Sequence, residues 1–138
     1  MSAPEFLDTN VLVYAYDAAS PRKQRVAQQL VRKAFSGEAL SSTQALGELA
    51  ATLLHKITPR AHPEDVLTVL DALGPMPLIA TNADTVRRAV EARRRYGIHF
   101  YDGLIVAAAE QAGCERIWSE DLNPGQKYFD IVVENPFV

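Results

Sequence analysis

Short strand-like segments alternate with helix-patterned ones along this chain, and that alternation limits its fold more than any other feature. Glu5 to Leu7 reads as a strand ending at Asp8. Ser20-Pro21 opens a helix, with Ser as N-cap and Pro at the first position. Its apolar residues Val26, Ala27, Leu30, Val31 and Ala34 keep helical spacing, and Gly37 stops it. Ala39 to Ser42 reads as a strand. Gln44 to Lys56 reads as a helix with Leu46, Leu49, Ala50, Leu53, Leu54 and Ile57 on one stripe. Pro63 to Leu73 is a further helix closed by Gly74-Pro75, and Pro77 to Ala80 is short and extended. A helix capped at Asn82 or Asp84 runs to Tyr96, with Gly97 as its stop. Phe100 to Ala112 is helical, Arg116 to Ser119 a strand, Leu122 to Gly125 a turn and Asp130 to Val133 a last strand. Thr9 to Asp17, rich in Val and Tyr, suits a helix or a strand equally.

Strands separated by helices imply an α/β fold with a parallel sheet covered on both faces. Leu104 to Ala109 is apolar all round, so its helix is expected to be buried on several sides. The 138 residues, 48% of them apolar, suit one domain over residues 1–138 with one core. No apolar run is long enough to span a bilayer, and Met1 to Asp8 lacks a signal-peptide pattern, so a cytoplasmic location is expected. A single cysteine, Cys114, excludes an intrachain disulfide and a thiolate metal cluster. His55, His62 and His99 show no ligand spacing, which argues against zinc. No P-loop or GxGxxG pattern occurs. A net charge of −3 gives no bulk positive field for nucleic acid, yet is compatible with an enzyme whose bound cations supply local positive charge.

In such a sheet, helix N-termini and strand C-termini share one edge, where open α/β sheets bind ligands. Four acids fall there. Asp8 ends the first strand, Asp102 lies in the first turn of the buried helix, Asp121 follows the fourth strand, and Glu48 is within reach along its own helix. Each has a plainer role available. Asp8 can cap a helix, Asp102 can complement a helix dipole, Asp121 can start a turn, and Glu48 can face solvent opposite its apolar stripe. Glu48 is too far from its helix start for capping, and Gln44, Ala51 and Thr52 beside it form a small, polar surface. Asp102 needs a partner at the core edge; its own helix offers no Lys or Arg, although Arg93 to Arg95 could approach from the preceding one.

Four convergent carboxylates repel by about 4 kcal/mol per pair at 4 Å and an effective dielectric near 20. Protonation or a cation must relieve this. Oxygen-only ligands favour Mg²⁺ or Mn²⁺ over Zn²⁺. The chemistry that follows is phosphodiester hydrolysis by one or two metal ions.

These residues also carry a resemblance. Phe6-Leu7-Asp8-Thr9-Asn10-Val11-Leu12 resembles the opening motif of PIN-domain nucleases, and Glu48 in Ala45-Leu46-Gly47-Glu48-Leu49 matches their second acid. Tyr96 to Ala109, centred on Asp102, resembles their third-acid helix, and Ser119 to Gln126 their fourth-acid motif. Size and the absence of added domains look like VapC, the toxin of type II toxin–antitoxin pairs. The resemblance implies a three-layer α/β/α fold with a central parallel sheet and a homodimer. It further implies Mg²⁺- or Mn²⁺-dependent endonuclease action on RNA, often structured or tRNA, and a small cognate antitoxin. Asp8, Glu48, Asp102 and Asp121 become the catalytic, metal-binding acids, Asn10 and Ser119 lesser candidates for orienting them, and Thr9 to Asp17 a helix. Glu120 beside Asp121 leaves open which of the two, or both, contributes.

Arg87, Arg88, Arg93, Arg94 and Arg95 make a basic helix that reads first as a solvated, salt-bridged face and second as a phosphate contact, as could Lys23, Arg25, Arg32 and Lys33. His99 reads as a surface or capping residue; Tyr14 and Tyr16 read first as core and second as base-stacking or dimer-contact residues, and Trp118 as core. Two rivals remain. An Asp-nucleophile phosphatase would use Asp8, but Asn10 stands where that motif expects a second Asp. A catalytically silent PIN-like protein-binding module is opposed by the presence of all four acids.

Overall fold

The computed structural model describes residues 3–138. β1 (Glu5–Leu7) leads through Asp8 into α1 (Thr9–Ala15), and α2 (Pro21–Phe35) returns to β2 (Ala39–Ser42). Then come α3 (Thr43–His55), α4 (Pro63–Ala72), β3 (Leu78–Ile79), α5 (Ala83–Tyr96) and α6 (Phe100–Gln111). β4 (Arg116–Trp118), β5 (Lys127–Tyr128) and β6 (Ile131–Glu134) finish the sheet, whose strand order is β3-β2-β1-β4-β6-β5. All pairings are parallel except β5 with β6.

The expected helices and strands are present with boundaries shifted by a residue or two. Thr9 onward is helical because Asp8 caps it, its Oδ1 accepting from the Thr9 N–H at 2.7 Å. The expected Asp130–Val133 strand starts one residue later, and its hairpin partner β5 was absent from the sequence reading. Only two residues pair in β5, and its turn is Phe129-Asp130, both at positive φ (48° and 67°), where Gly and Asn are the usual signals. The turn is held from outside: the Phe129 N–H donates to Tyr96 Oη at 2.9 Å, and the Arg88 guanidinium lies 3.6 Å from the Phe129 ring centroid.

Phe6 and Leu7 point to opposite faces of β1, and both are fully buried, so the central strand is covered on both sides. α6 is buried from Gly103 to Ala109, as its unbroken apolar run requires. It packs against α5 at a close crossing: a Cβ on Gly103 would sit 2.7 Å from the Ala89 carbonyl oxygen. The chain moves from β1 outward to β2 and β3, then crosses back to β4 on the other side of β1. The crevice where that order reverses, at the C-terminal ends of β1 and β4, is the expected ligand position of such a sheet. No described helix is long and apolar enough to cross a membrane.

Candidate functional site

A cleft of about 510 Å³ opens at that crevice, and Asp8, Glu48, Asp102 and Asp121 all line it. β1 delivers Asp8, the loop after β4 delivers Asp121, the second turn of α3 carries Glu48, and the first turn of α6 carries Asp102. The fold therefore brings the four sequence-predicted acids to one place, although they span more than a hundred residues of chain.

Their environments differ. Asp8 is buried, 4% exposed, and its oxygens are taken by neutral donors: Oδ1 by the Thr9 N–H, Oδ2 by the Ser119 hydroxyl at 2.7 Å. Burial pushes its carboxyl up to about 6. The Ser119 and Thr9 hydrogen bonds oppose that rise, and the charges of Asp121 and Asp102 add to it. Asp102, half-buried, is also raised, first by burial; nearby His99 opposes this, while Asp121 and Glu48 reinforce it. Glu48 Oε2 accepts from the Thr9 hydroxyl at 2.6 Å and Oε1 from Gln44 Nε2 at 2.8 Å.

Asn10 and Ser119, the expected orienting residues, form the hub between the two strand ends. Asn10 Nδ2 lies 3.2 Å from Asp121 Oδ2 and 3.4 Å from both Asp8 Oδ2 and Ser119 Oγ, while its Oδ1 accepts from the Glu120 N–H at 3.1 Å. The fully buried Ser119 oxygen also accepts from the Asp121 and Leu122 N–H groups at 3.1 and 3.2 Å. One hydroxyl thus ties the first acid to the loop of the fourth.

The two neighbours in that loop divide. Glu120 turns to Lys23 at 2.8 Å and to the Tyr14 hydroxyl at 2.9 Å. Its partial burial would raise its carboxyl, but those two hydrogen bonds outweigh this and hold it below the usual range. Asp121 has no such cation. Tyr14 joins the core as expected, its ring packing edge-on against Phe137, but its hydroxyl also serves Glu120. Thr9 and Gln44 support Glu48 without having been among the sequence candidates. The available signals were local: Thr9 adjoins Asp8, and Gln44 precedes Glu48 by one helical turn.

The arginines do not approach Asp102, contrary to one expectation. Arg88 makes a two-pronged contact with Glu110 at 2.7 and 2.9 Å, Arg94 pairs with Glu91, and Arg93 donates to the Ile98 carbonyl at 3.0 Å. Lys33 pairs with Glu5 at the start of β1, the opposite edge of the sheet. Of the surface or capping roles open to His99, the structure shows the cap, its Nδ1 accepting from the Tyr101 N–H at 3.2 Å.

Among the described residues no Lys or Arg pairs with any of the four acids. Nor do three of these side chains close into a ready-made metal cage. An all-oxygen donor set without a paired Lys or Arg, open to solvent on one side, is chemically compatible with Mg²⁺ or Mn²⁺. Mg²⁺ keeps several waters and takes only one or two carboxylates directly.

The PIN domain family model matches residues 6–129, and the chain belongs to that family. Solved structures with the same fold include the DNA-bound VapBC complex from Salmonella typhimurium. It has a TM-score of 0.71 and 15% identity, over 98% of this chain and 99% of that one. A toxin–antitoxin complex from Klebsiella pneumoniae matches at TM-score 0.66 and 21% identity over 98% of each chain. Mycobacterium tuberculosis VapC20, a sarcin–ricin loop cleaving toxin, matches at TM-score 0.65 and 17% identity over 85% of this chain and 89% of that one. A search of curated protein sequences finds no match.

Proposed function

We propose that this chain is a Mg²⁺- or Mn²⁺-dependent endoribonuclease that hydrolyses RNA phosphodiester bonds, the toxin of a type II toxin–antitoxin pair. The observation that carries the reading is the convergence of Asp8, Glu48, Asp102 and Asp121 on one cleft, with no Lys or Arg among the described residues paired to any of them. Membership of the PIN family supports it, as does the likeness of fold to toxin–antitoxin structures.

Asp8, Glu48, Asp102 and Asp121 are the residues that would hold the ion in the cleft. When bound, the ion supplies Lewis acidity toward a phosphodiester and a water of lowered pKa. The protein's own part is positional. Thr9 and Gln44 orient Glu48, and Ser119 and Asn10 lock Asp8 against the Asp121 loop. Asp102 accepts no hydrogen bond among the described residues, which leaves its oxygens free to ligate or to take a proton from the attacking water. An Asp8-nucleophile phosphatase is disfavoured because Asn10, which that motif needs as a second Asp, instead bridges the Asp8 and Asp121 side chains.

The test is cleavage of a total-RNA pool by the purified protein. Activity is abolished by EDTA and restored by Mg²⁺ or Mn²⁺. Asp102→Asn loses at least about 100-fold, the upper end of what removal of an outer-shell partner costs. An Asn variant as fast as wild type would overturn the site assignment, and a wild type inert toward RNA with either metal would favour a silent protein-binding module. A cognate antitoxin is expected to be encoded by a short reading frame beside this gene and to co-purify with the chain on co-expression; no such frame, or no co-purification, would count against the toxin reading. A homodimer is expected by light scattering.

A further inference from the structure

One aromatic ring in the cleft is not explained by packing. Tyr101 precedes Asp102, lines the same cleft as the four acids and is 56% exposed, although it belongs to the helix with the most deeply buried middle in the fold. The ring is nonetheless held in place. His99 lies nearly parallel beside it, with centroids 5.7 Å apart and planes 20° apart, and Phe100 meets it edge-on at 5.4 Å. Its N–H is engaged by His99 Nδ1, and its carbonyl accepts from Gln44 Nε2 at 3.4 Å. Gln44 is also the residue that orients Glu48. The residue that carries the exposed ring is thus linked through its backbone and Gln44 to Glu48, and it adjoins Asp102.

The charge of the cleft says what such a ring is for. Six acids line it (Asp8, Asp17, Glu48, Asp102, Glu120 and Asp121) against one cation, Lys56. Even with Glu120 paired to Lys23 and a divalent ion offsetting part of the remaining charge, these walls add little attraction for a polyanion, so part of its affinity has to come from a neutral group. In RNA that group is the base. Bases that are unstacked from their neighbours, in loops, bulges and single strands, bind aromatic side chains face to face.

We propose that Tyr101, backed by His99, is the stacking platform for an unpaired nucleobase flanking the scissile phosphate. This rests on the endoribonuclease reading above. It makes Tyr101 a substrate-binding residue and makes an unpaired nucleotide beside the cut a requirement of the substrate.

The experiment uses the full chain with Mg²⁺ or Mn²⁺ and a short RNA carrying one mapped cleavage site. Tyr101→Ala is expected to raise KM by about ten-fold or more, as loss of one base–aromatic stack does, with kcat much less affected. Tyr101→Phe and Tyr101→Trp retain wild-type KM, because the ring and not the hydroxyl is used. An abasic substitution at the flanking nucleotide raises KM equally for wild type and adds nothing in Tyr101→Ala. In an Asp8→Asn background, Tyr101→Trp fluorescence is quenched on titration with the same RNA, above the constant signal of Trp118. The inference falls if Tyr101→Ala cleaves with wild-type KM, if the abasic and Ala effects multiply independently, or if Tyr101→Ala alters only the oligomeric state, which would make the ring a contact between copies. A wild type that cleaves no RNA would instead remove the nuclease reading beneath it.

Discussion

Asp8 keeps a carboxylate inside the protein beside neutral donors and two like charges, and its titration should be visible in the stability of the metal-free protein. Its pKa rises from an ordinary 3.8 to about 6, through burial first and then Asp121 and Asp102. Between those values the folded state holds a proton that the unfolded state has lost. Stability therefore increases as pH falls from 6 toward 4, and the charged form costs up to about 3 kcal/mol above pH 6. The raised Asp102 acts in the same direction. Glu5 and Glu120, both lowered, act oppositely: their stabilisation is present above the usual 4.5 and is lost as pH drops through their lowered values. Melting temperature in EDTA should peak between about pH 4 and 5, and Asp8→Asn should raise it at pH 8 and flatten the rise on acidification. An Asn variant that keeps the wild-type profile would contradict this. Glu120 and Asp121 give a second residue-scale prediction. Lys23 and Tyr14 already satisfy Glu120, so Glu120→Gln should leave RNA cleavage within about three-fold, while Asp121→Asn should lose at least about 100-fold. Equal losses in the two variants would put both carboxylates at the metal. From sequence these neighbours were indistinguishable, because the cation that separates them lies 97 residues away.

At the scale of elements, the contact between α5 and α6 sets where Asp102 stands. Gly103 lets the helices approach until a Cβ would lie 2.7 Å from the Ala89 carbonyl, a backbone atom that cannot rotate aside. Gly103→Ala should cost about 1–3 kcal/mol by forcing the helices apart, read as a lower urea midpoint, and should reduce cleavage because Asp102 moves with its helix. A midpoint equal to wild type would mean that the crossing yields easily. Helices with strong periodicity or end signals were legible, as in α3, or in α5 with its Asn82 cap and Gly97 stop. α1 was not, because seven Val- and Tyr-containing residues serve either state and the Asp8 cap decides between them. β5 was hidden for another reason. Its turn uses Phe and Asp at positive φ, held by Tyr96 and Arg88 of a distant helix, with no local turn signal.

For the molecule as a whole, folding gathers acids that repel one another, so a divalent ion that binds them should stabilise the fold. Mg²⁺ at ten times its dissociation constant adds about 1.4 kcal/mol, and the wild-type melting temperature should rise accordingly. Asp8→Asn and Asp102→Asn should lose most of that rise. A melting temperature indifferent to millimolar Mg²⁺ and Mn²⁺ would count against the cluster as a metal site. The sequence by itself determined the α/β class, the parallel central sheet and the candidacy of the four acids, since periodicity, helix ends and the position of an acid after a strand are local properties of the chain. Only the tertiary structure decided which charges stay uncompensated. It paired Glu120 with Lys23, turned Arg88, Arg94 and Arg93 of α5 to Glu110, Glu91 and a backbone carbonyl, and placed Thr9, Gln44 and Tyr101 around Glu48 and Asp102. Those outcomes depend on the distance between groups far apart in the chain, which packing sets and no local pattern records.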